Sequence, residues 1–224
     1  MEVGEQTPGS DVRERSAVRH LLILGHPSAD SFTHAVAGRY VEVVRSNYQE
    51  AEVRDLYAIG FDPLLKDIER PLRGPTVPSP DVRQEIDLIA RADVITFVYP
   101  LWFGTPPAII KGYIDRVFSA AFRLSDLKSE DKVGMMAGKQ LCLFTSSAST
   151  GQWLDEQGIM SSLHQAFGRY LASIFRFSNM HHFHAASVMD GMKPALAEQH
   201  LFDVAEKARL ICAEAAAARH RAEI

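Results

Sequence analysis

The stretch "DVITFVYPLWFGTPPAIIKGYIDRVF" runs from Asp93 to Phe118, and the rest of the chain is read outward from it. Val94 to Tyr99 form a run of strand length that is apolar except for Thr96, as expected of a strand buried on both faces. Pro100 ends the run. Three bulky apolar residues follow, Leu101, Trp102 and Phe103, and then Gly104-Thr105-Pro106-Pro107. Beyond them, Ile109, Ile110, Tyr113, Ile114, Val117 and Phe118 recur at helical spacing. Thr105 has the type of a helix cap and Pro106 that of a first helical residue. The apolar positions spread beyond one face, so this helix is expected to be covered on two sides, by a sheet and by a second subunit.

The same strand-then-helix unit repeats along the chain. Strand-type runs lie at "HLLILGH" (20–26), "AEVRDLYA" (51–58), "KQLCLFTSS" (139–147) and within 175–188. Helical patterns begin at Thr33 and Asp81, cover about 156–172, and close the chain from Pro194 to Arg219. Val36, Tyr40, Val43 and Val44 mark the inner face of the first helix. Val82, Ile86, Ile89 and Ala90 mark that of the second. This alternation predicts an α/β fold, a doubly wound five-stranded parallel sheet between two helical layers in the order 2-1-3-4-5. Residues 1–17 read as a loose polar tail and 18–224 as one domain.

Composition narrows the function classes. Of 224 residues, 46% are hydrophobic and 23% charged, enough to fill a core, and the net charge of -4 steers the chain toward neither nucleic acid nor an anionic membrane. No apolar run is long enough to span a bilayer. The N-terminal segment lacks the basic start and apolar stretch of a secretory signal. Cys142 and Cys212, the only cysteines, lie in apolar or helical surroundings, which fits a reducing compartment, and a cytoplasmic protein is expected. The histidines of "HHFH" (181–184) are adjacent or alternate on a strand and make no tetrahedral set, so no metal site is expected.

Ligands of such sheets bind at the carboxyl ends of the strands, near the reversal of strand order. Three loops converge there. "GHPSADSFTHA" (25–35) lacks the glycine pattern of a dinucleotide turn, but sets Ser28, Ser31 and Thr33 at a helix start. Its hydroxyls and free N–H groups suit a phosphate or simple capping, and His26 stands beside them. "PLWFGTPP" (100–107) places Trp102 and Phe103 where they either cover a flat aromatic ligand or fill the core or a subunit contact. "TSSASTGQW" (145–153) offers small side chains, many donors and close backbone approach. Together the loops describe a slot for a phosphate and a planar, hydrogen-bonding ring, and a flavin fits that description.

"GHPSADSFTHA", "DLYAIGFDP" (55–63) and the unbroken "YPLWFGTPPAIIKGYIDRVF" (99–118) resemble the NAD(P)H:quinone oxidoreductase family of flavodoxin-like flavoproteins. The likeness covers about Leu21 to Trp153. It implies a homodimer holding FAD, or alternatively FMN, that reduces a quinone-like acceptor by two electrons with NADH or NADPH in a ping-pong cycle. It assigns His26, Ser31, Phe32 and Thr33 to the phosphate and ribityl chain. Pro100, Leu101, Trp102, Phe103 and Gly104 fall to the flavin ring, and Thr145, Ser146 and Ser147 to its pyrimidine end. Phe103, Trp153, and Phe122 from the second subunit would wall the substrate. The chain departs from the family at several points. Thr33 replaces an asparagine, and Thr145-Ser146-Ser147-Ala148 replaces Thr-Thr-Gly-Gly. Trp153 and Ile159 or Met160 stand where relatives carry a proton-relaying tyrosine and histidine. No acid–base residue is therefore carried over. Related proteins also include azo and nitro reductases and regulatory subunits of potassium efflux systems.

Overall fold

The computed structural model describes residues 17–70, 78–121 and 134–222. Five parallel strands lie in the order β2-β1-β3-β4-β5, as the alternation predicts. They are β1 (Arg19–Leu24), β2 (Glu50–Asp55), β3 (Val94–Pro100), β4 (Gln140–Ser146) and β5 (Asn179–Ala185). The central strands β3 and β4 are buried at every position, which is why their sequences are continuous apolar runs rather than alternating ones. β2 lies at the edge and is half exposed.

The helices are α1 (Phe32–Ser46), α2 (Pro80–Arg91), α3 (Ala108–Tyr113), α4 (Gly151–Glu156), α5 (Ile159–Leu163), α6 (Tyr170–Ile174) and α7 (Pro194–Ala222). A π-helical turn (Ile114–Phe118) continues α3, and another (His164–Arg169) joins α5 to α6. Leu22, Leu24, Val94, Val98, Cys142 and Phe144 pack toward α1 and α7. Ile23, Ile95, Phe97, Leu141 and Leu143 pack toward α2 and α3 on the opposite face. On α2 the inner face is carried by Val82, Glu85, Leu88 and Ile89; Ala90 points to solvent. The helix expected over about 156–172 is α5, its π-helical turn and α6, starting at Ile159 after Gly158 in the left-handed region; the separate helix α4 precedes it, capped by the Thr150 side chain, which accepts the Trp153 N–H.

The wide apolar arc of α3 is covered from within the chain. Ile109, Ile110, Tyr113, Ile114, Val117 and Phe118 are all buried. The sheet lies on one side and the segment after β2 on the other. That segment passes so close that a Cβ on Gly112 would sit 2.3 Å from the Pro63 carbonyl oxygen. Arg116, fully buried, holds it there. Its guanidinium donates to Glu69 (2.7 and 2.8 Å), to Asp81 (2.8 Å) and to the Asp62 carbonyl (2.5 Å). The second cover expected from a partner subunit is thus supplied by residues 61–69, and the arc itself does not call for a dimer. Asp115 forms an i,i+4 pair with Lys111 (2.6 Å).

Candidate functional site

The three loops named by the sequence meet at the carboxyl edge of the sheet, and short contacts lock them together. After β1, the Gly25 N–H donates to Val98 O (3.0 Å), and a Cβ at Gly25 would lie 2.7 Å from the Ile110 side chain. This glycine lets the loop press flat against α3. The His26 and Trp102 rings lie 6.0 Å apart between centroids, joining the loops after β1 and β3. The Leu101 N–H donates to Ser146 O (2.7 Å), joining the loop after β3 to the end of β4.

Ser31 is the N-cap of α1. Its Oγ accepts the His34 N–H (3.3 Å) and bonds the His34 ring (2.9 Å), whose far nitrogen meets Asp55 (3.0 Å). Capping satisfies His34 and leaves the N–H groups of Phe32 and Thr33 without partners among the described residues. Those two donors at the positive end of a 15-residue helix are what an anionic phosphate requires. The His26 ring lies 6.3 Å from that of His34 in the first turn of α1, and its Nδ1 accepts the Ser28 N–H (3.0 Å).

Thr105 does not cap α3, whose cap position is Pro107. Instead Trp102 and Thr105 exchange backbone bonds (3.1 and 3.2 Å) around a tight turn. Phe103 (φ 53°) and Gly104 (φ 78°) occupy the turn with positive φ at both central residues. Holding a phenylalanine in that region costs about 1–2 kcal/mol. The turn pushes both aromatic rings outward: Trp102 is 41% exposed and Phe103 fully so. Neither ring fills the core; Leu101 does, at 7% exposure. The N–H groups of Phe103 and Gly104 have no partner among the described residues. Gly104 faces Ile159 of α5, 3.5 Å from where its Cβ would be.

The loop after β4 completes the slot. Ser147 N–H donates to Ala185 O and Ser187 N–H to Ser149 O, bracing the loop from the β5 side (3.0 and 2.9 Å), while the N–H groups of Ala148 and Ser149 have no partner among the described residues. Trp153, half exposed, stands in the first turn of α4. Thr145 and Ser146 are buried below this rim. Thr145 turns away from the slot toward β5, bonding His182 (2.9 Å) and His184 (2.8 Å). Ser147 bonds the other nitrogen of His184 (3.0 Å). Burial holds both imidazoles down at about 4. The sequence does not single out His34, and it presents His182 and His184 only within the "HHFH" run, weighed as a metal site and set aside. The signal for His34 was its place three residues after a capping serine. For the others it was their i,i+2 spacing, which puts both on one face of the strand. Phe122 lies outside the described residues.

The donor set fits a flavin: unpaired N–H groups at a helix start for a phosphate, two further sets at Phe103–Gly104 and Ala148–Ser149 for a ring edge, and exposed aromatic rings for its face. A groove of about 590 Å³ also opens at the opposite end of the sheet, among Arg19, Arg45, Glu50, Glu52 and Arg91. It has mixed charge and none of these features.

Residues 18–210 match the family model described as Flavodoxin-like fold. The chain is 38% identical over 147 residues to an uncharacterized NAD(P)H oxidoreductase of Haemophilus influenzae, covering 65% of this chain and 72% of that protein. It is 33% identical over 153 residues to NAD(P)H dehydrogenase [quinone] 1 of Cavia porcellus, covering 60% of this chain and 55% of that protein. The chain thus spans about half the length of the Cavia porcellus protein. The fold superposes on an NAD(P)H:quinone oxidoreductase of Methanothermobacter marburgensis with a TM-score of 0.72 at 24% identity, over 87% of this chain and 96% of that one.

Proposed function

The chain belongs to the flavodoxin-like NAD(P)H:quinone oxidoreductase family, and from that premise we propose that it is a flavin-dependent enzyme passing two electrons from NADH or NADPH to a quinone-like acceptor. The observation that carries this reading is the set of backbone donors at one sheet edge, at Phe32–Thr33, Phe103–Gly104 and Ala148–Ser149, that have no partner among the described residues, beside the exposed Trp102 and Phe103 rings.

A bound flavin supplies the capacity to accept a hydride and hand it on. The protein's residues do the rest. The start of α1 holds the phosphate. The Phe103–Gly104 turn and the Ala148–Ser149 loop orient the ring, and their fixed N–H groups stabilise negative charge at its polar edge without reorganising. Trp102, Phe103 and Trp153 exclude water and offer flat surface to the nicotinamide and then to the acceptor. One stacking position for both substrates means that one must leave before the other binds, hence a ping-pong cycle. FAD is the cofactor favoured by the family resemblance, with FMN the alternative. The cytoplasmic location rests on the cysteines: Cys142 and Cys212 are free and buried, and burial raises both thiols, Cys212 to about 11. The homodimer rests on the resemblance.

The test is steady-state oxidation of NADH and NADPH by the full chain with a soluble quinone. The expected result is turnover with parallel double-reciprocal plots. Flavin and nucleotide binding without turnover would instead favour a regulatory role, and intersecting plots would refute the single shared position.

A further inference from the structure

Reduction of a quinone by NAD(P)H moves one hydride and consumes one proton. The proton must reach an oxygen inside a slot walled by aromatic rings. Neither Trp153 nor Ile159, at the loop rim, carries a group able to deliver one. Beneath the rim, however, a line of polar side chains crosses from β4 to β5. Tyr99, Thr145 and His184 are in register on adjacent strands and share one face of the sheet. His182, two residues before His184, lies on that face too. The bonds form one chain: His182 Nε2 to Thr145 Oγ1 (2.9 Å), Thr145 Oγ1 to His184 Nδ1 (2.8 Å), and His184 Nε2 to Ser147 Oγ (3.0 Å). Ser147 Oγ ends it by donating to Ser149 O (3.4 Å). Every bond but the last is short.

Counting hydrogens leaves two directions, because Thr145 Oγ1 also reaches a carbonyl, Phe183 O (3.4 Å), as Ser147 Oγ reaches Ser149 O, and a neutral His184 donates to one of the two hydroxyls alone. In the direction that leaves Ser147 with a hydrogen to give, Ser147 donates to Ser149 O and accepts from His184 Nε2–H. His184 Nδ1 is then bare and accepts from the Thr145 hydroxyl, which in turn accepts from His182 Nε2–H. We propose that His182, Thr145, His184 and Ser147 form a proton relay that feeds the slot from the β5 side, with His184 as its central residue. This rests on the proposed function for its purpose, though not for its wiring.

Ser147 gives its hydroxyl proton to the anionic oxygen of the hydride-reduced acceptor and takes one from His184 Nε2. His184 Nδ1 takes the Thr145 proton, Thr145 takes the one on His182 Nε2, and His182 Nδ1 takes one from water. One proton enters and one leaves, and every member ends neutral with the chain reversed. The long Ser147–Ser149 bond makes that hydroxyl hydrogen the easiest to turn toward the slot. The groups facing the rings keep them neutral. Burial is the largest influence on both; His164 and His184 also oppose a charge on His182, and His200 opposes one on His184 against the weaker pull of Asp155. A relay that runs by tautomer exchange needs no charged imidazole.

The test reads tautomers in the full chain as purified, labelled with ¹⁵N-histidine. In the unmodified protein both His182 and His184 are expected as Nε2–H tautomers. Ser147→Ala removes the acceptor of the His184 Nε2–H, and His182, which Ser147 does not touch, should shift toward the Nδ1–H form. In a Thr145→Val background, where the chain is cut, the same Ser147→Ala change should leave His182 unaltered. A His182 signal indifferent to Ser147→Ala, or one that responds equally in the Thr145→Val background, overturns the relay. In turnover, His184→Gln keeps hydrogen bonds but cannot exchange tautomers. It should lower kcat by at least about 10-fold with KM for the quinone unchanged, and an unchanged kcat overturns the relay. Tautomer coupling in a chain that reduces no quinone removes the proposed function and leaves the wiring standing.

Discussion

Replacing Arg116 by methionine keeps the length of the side chain and removes its charge. The consequence can be worked from the structure. Arg116 and Glu69 are both completely buried and joined by two hydrogen bonds. Methionine strands the Glu69 carboxylate in the interior, with the Ser79 hydroxyl (2.6 Å) and the Lys66 N–H (3.2 Å) as its remaining donors among the described residues. Breaking a buried pair from one side costs about 3–5 kcal/mol. The Arg116 hydrogen bonds, helped by the Ser79 hydroxyl and the Lys66 N–H, hold the Glu69 carboxyl at about 2 rather than 4.5, a difference worth roughly 3 kcal/mol of which Arg116 supplies the largest part. Because the folded value is depressed, that stabilisation is complete above about pH 4.5 and is lost as pH falls toward 2. In Arg116→Met the sign reverses, since an uncompensated buried carboxyl is raised and protonation relieves it. Urea unfolding at pH 7 should therefore show a loss of about 3–5 kcal/mol. The gap from the unmodified protein should narrow at pH 4.5, and adding Glu69→Gln should recover part of the loss. A loss under about 1 kcal/mol, or a gap independent of pH, would refute the reasoning and with it the claim that Arg116 clamps residues 61–69 over α3.

Three further outcomes are expected. Trp102→Ala with Phe103→Ala should leave the urea midpoint unchanged, because both rings are exposed, and should weaken flavin binding by about 10-fold or more in a fluorescence titration. Gly112→Ala should destabilise the fold by about 1–3 kcal/mol because its Cβ meets the Pro63 backbone, whereas Gly38→Ala, with open space around it, should stabilise α1 by about 0.5–1 kcal/mol. Stability should fall between pH 6.5 and 4, where His20, His182 and His184 stay neutral when folded but bind protons when unfolded. His20→Gln should flatten that slope in urea unfolding.

What the sequence disclosed followed from strong local signals. Strand order and layers were legible because β3 and β4 are wholly buried and write themselves as continuous apolar runs. The three loops of the site were legible because they follow β1, β3 and β4. Side-chain direction was not. Thr145 looks from its sequence like part of the slot rim, yet β-strand alternation turns it toward His182 and His184. Thr105 has the residue type of a cap, but the two prolines after it delay the helix, and it closes the Trp102 turn instead. The apolar arc of α3 suggested a partner because nothing local reveals that residues 61–69 fold back over it. That contact depends on Arg116 reaching Glu69, 47 residues away. "HHFH" reads as a metal motif or as nothing until the register sets His184 opposite Thr145.

The account stands most directly on an equilibrium titration of the flavin-free full chain with FAD and with FMN, followed by flavin fluorescence. Saturation at one flavin per chain, weakened when Trp102 and Phe103 are both replaced by alanine, is the predicted result. Failure of both flavins to saturate, or equal binding by the doubly substituted chain, would contradict it.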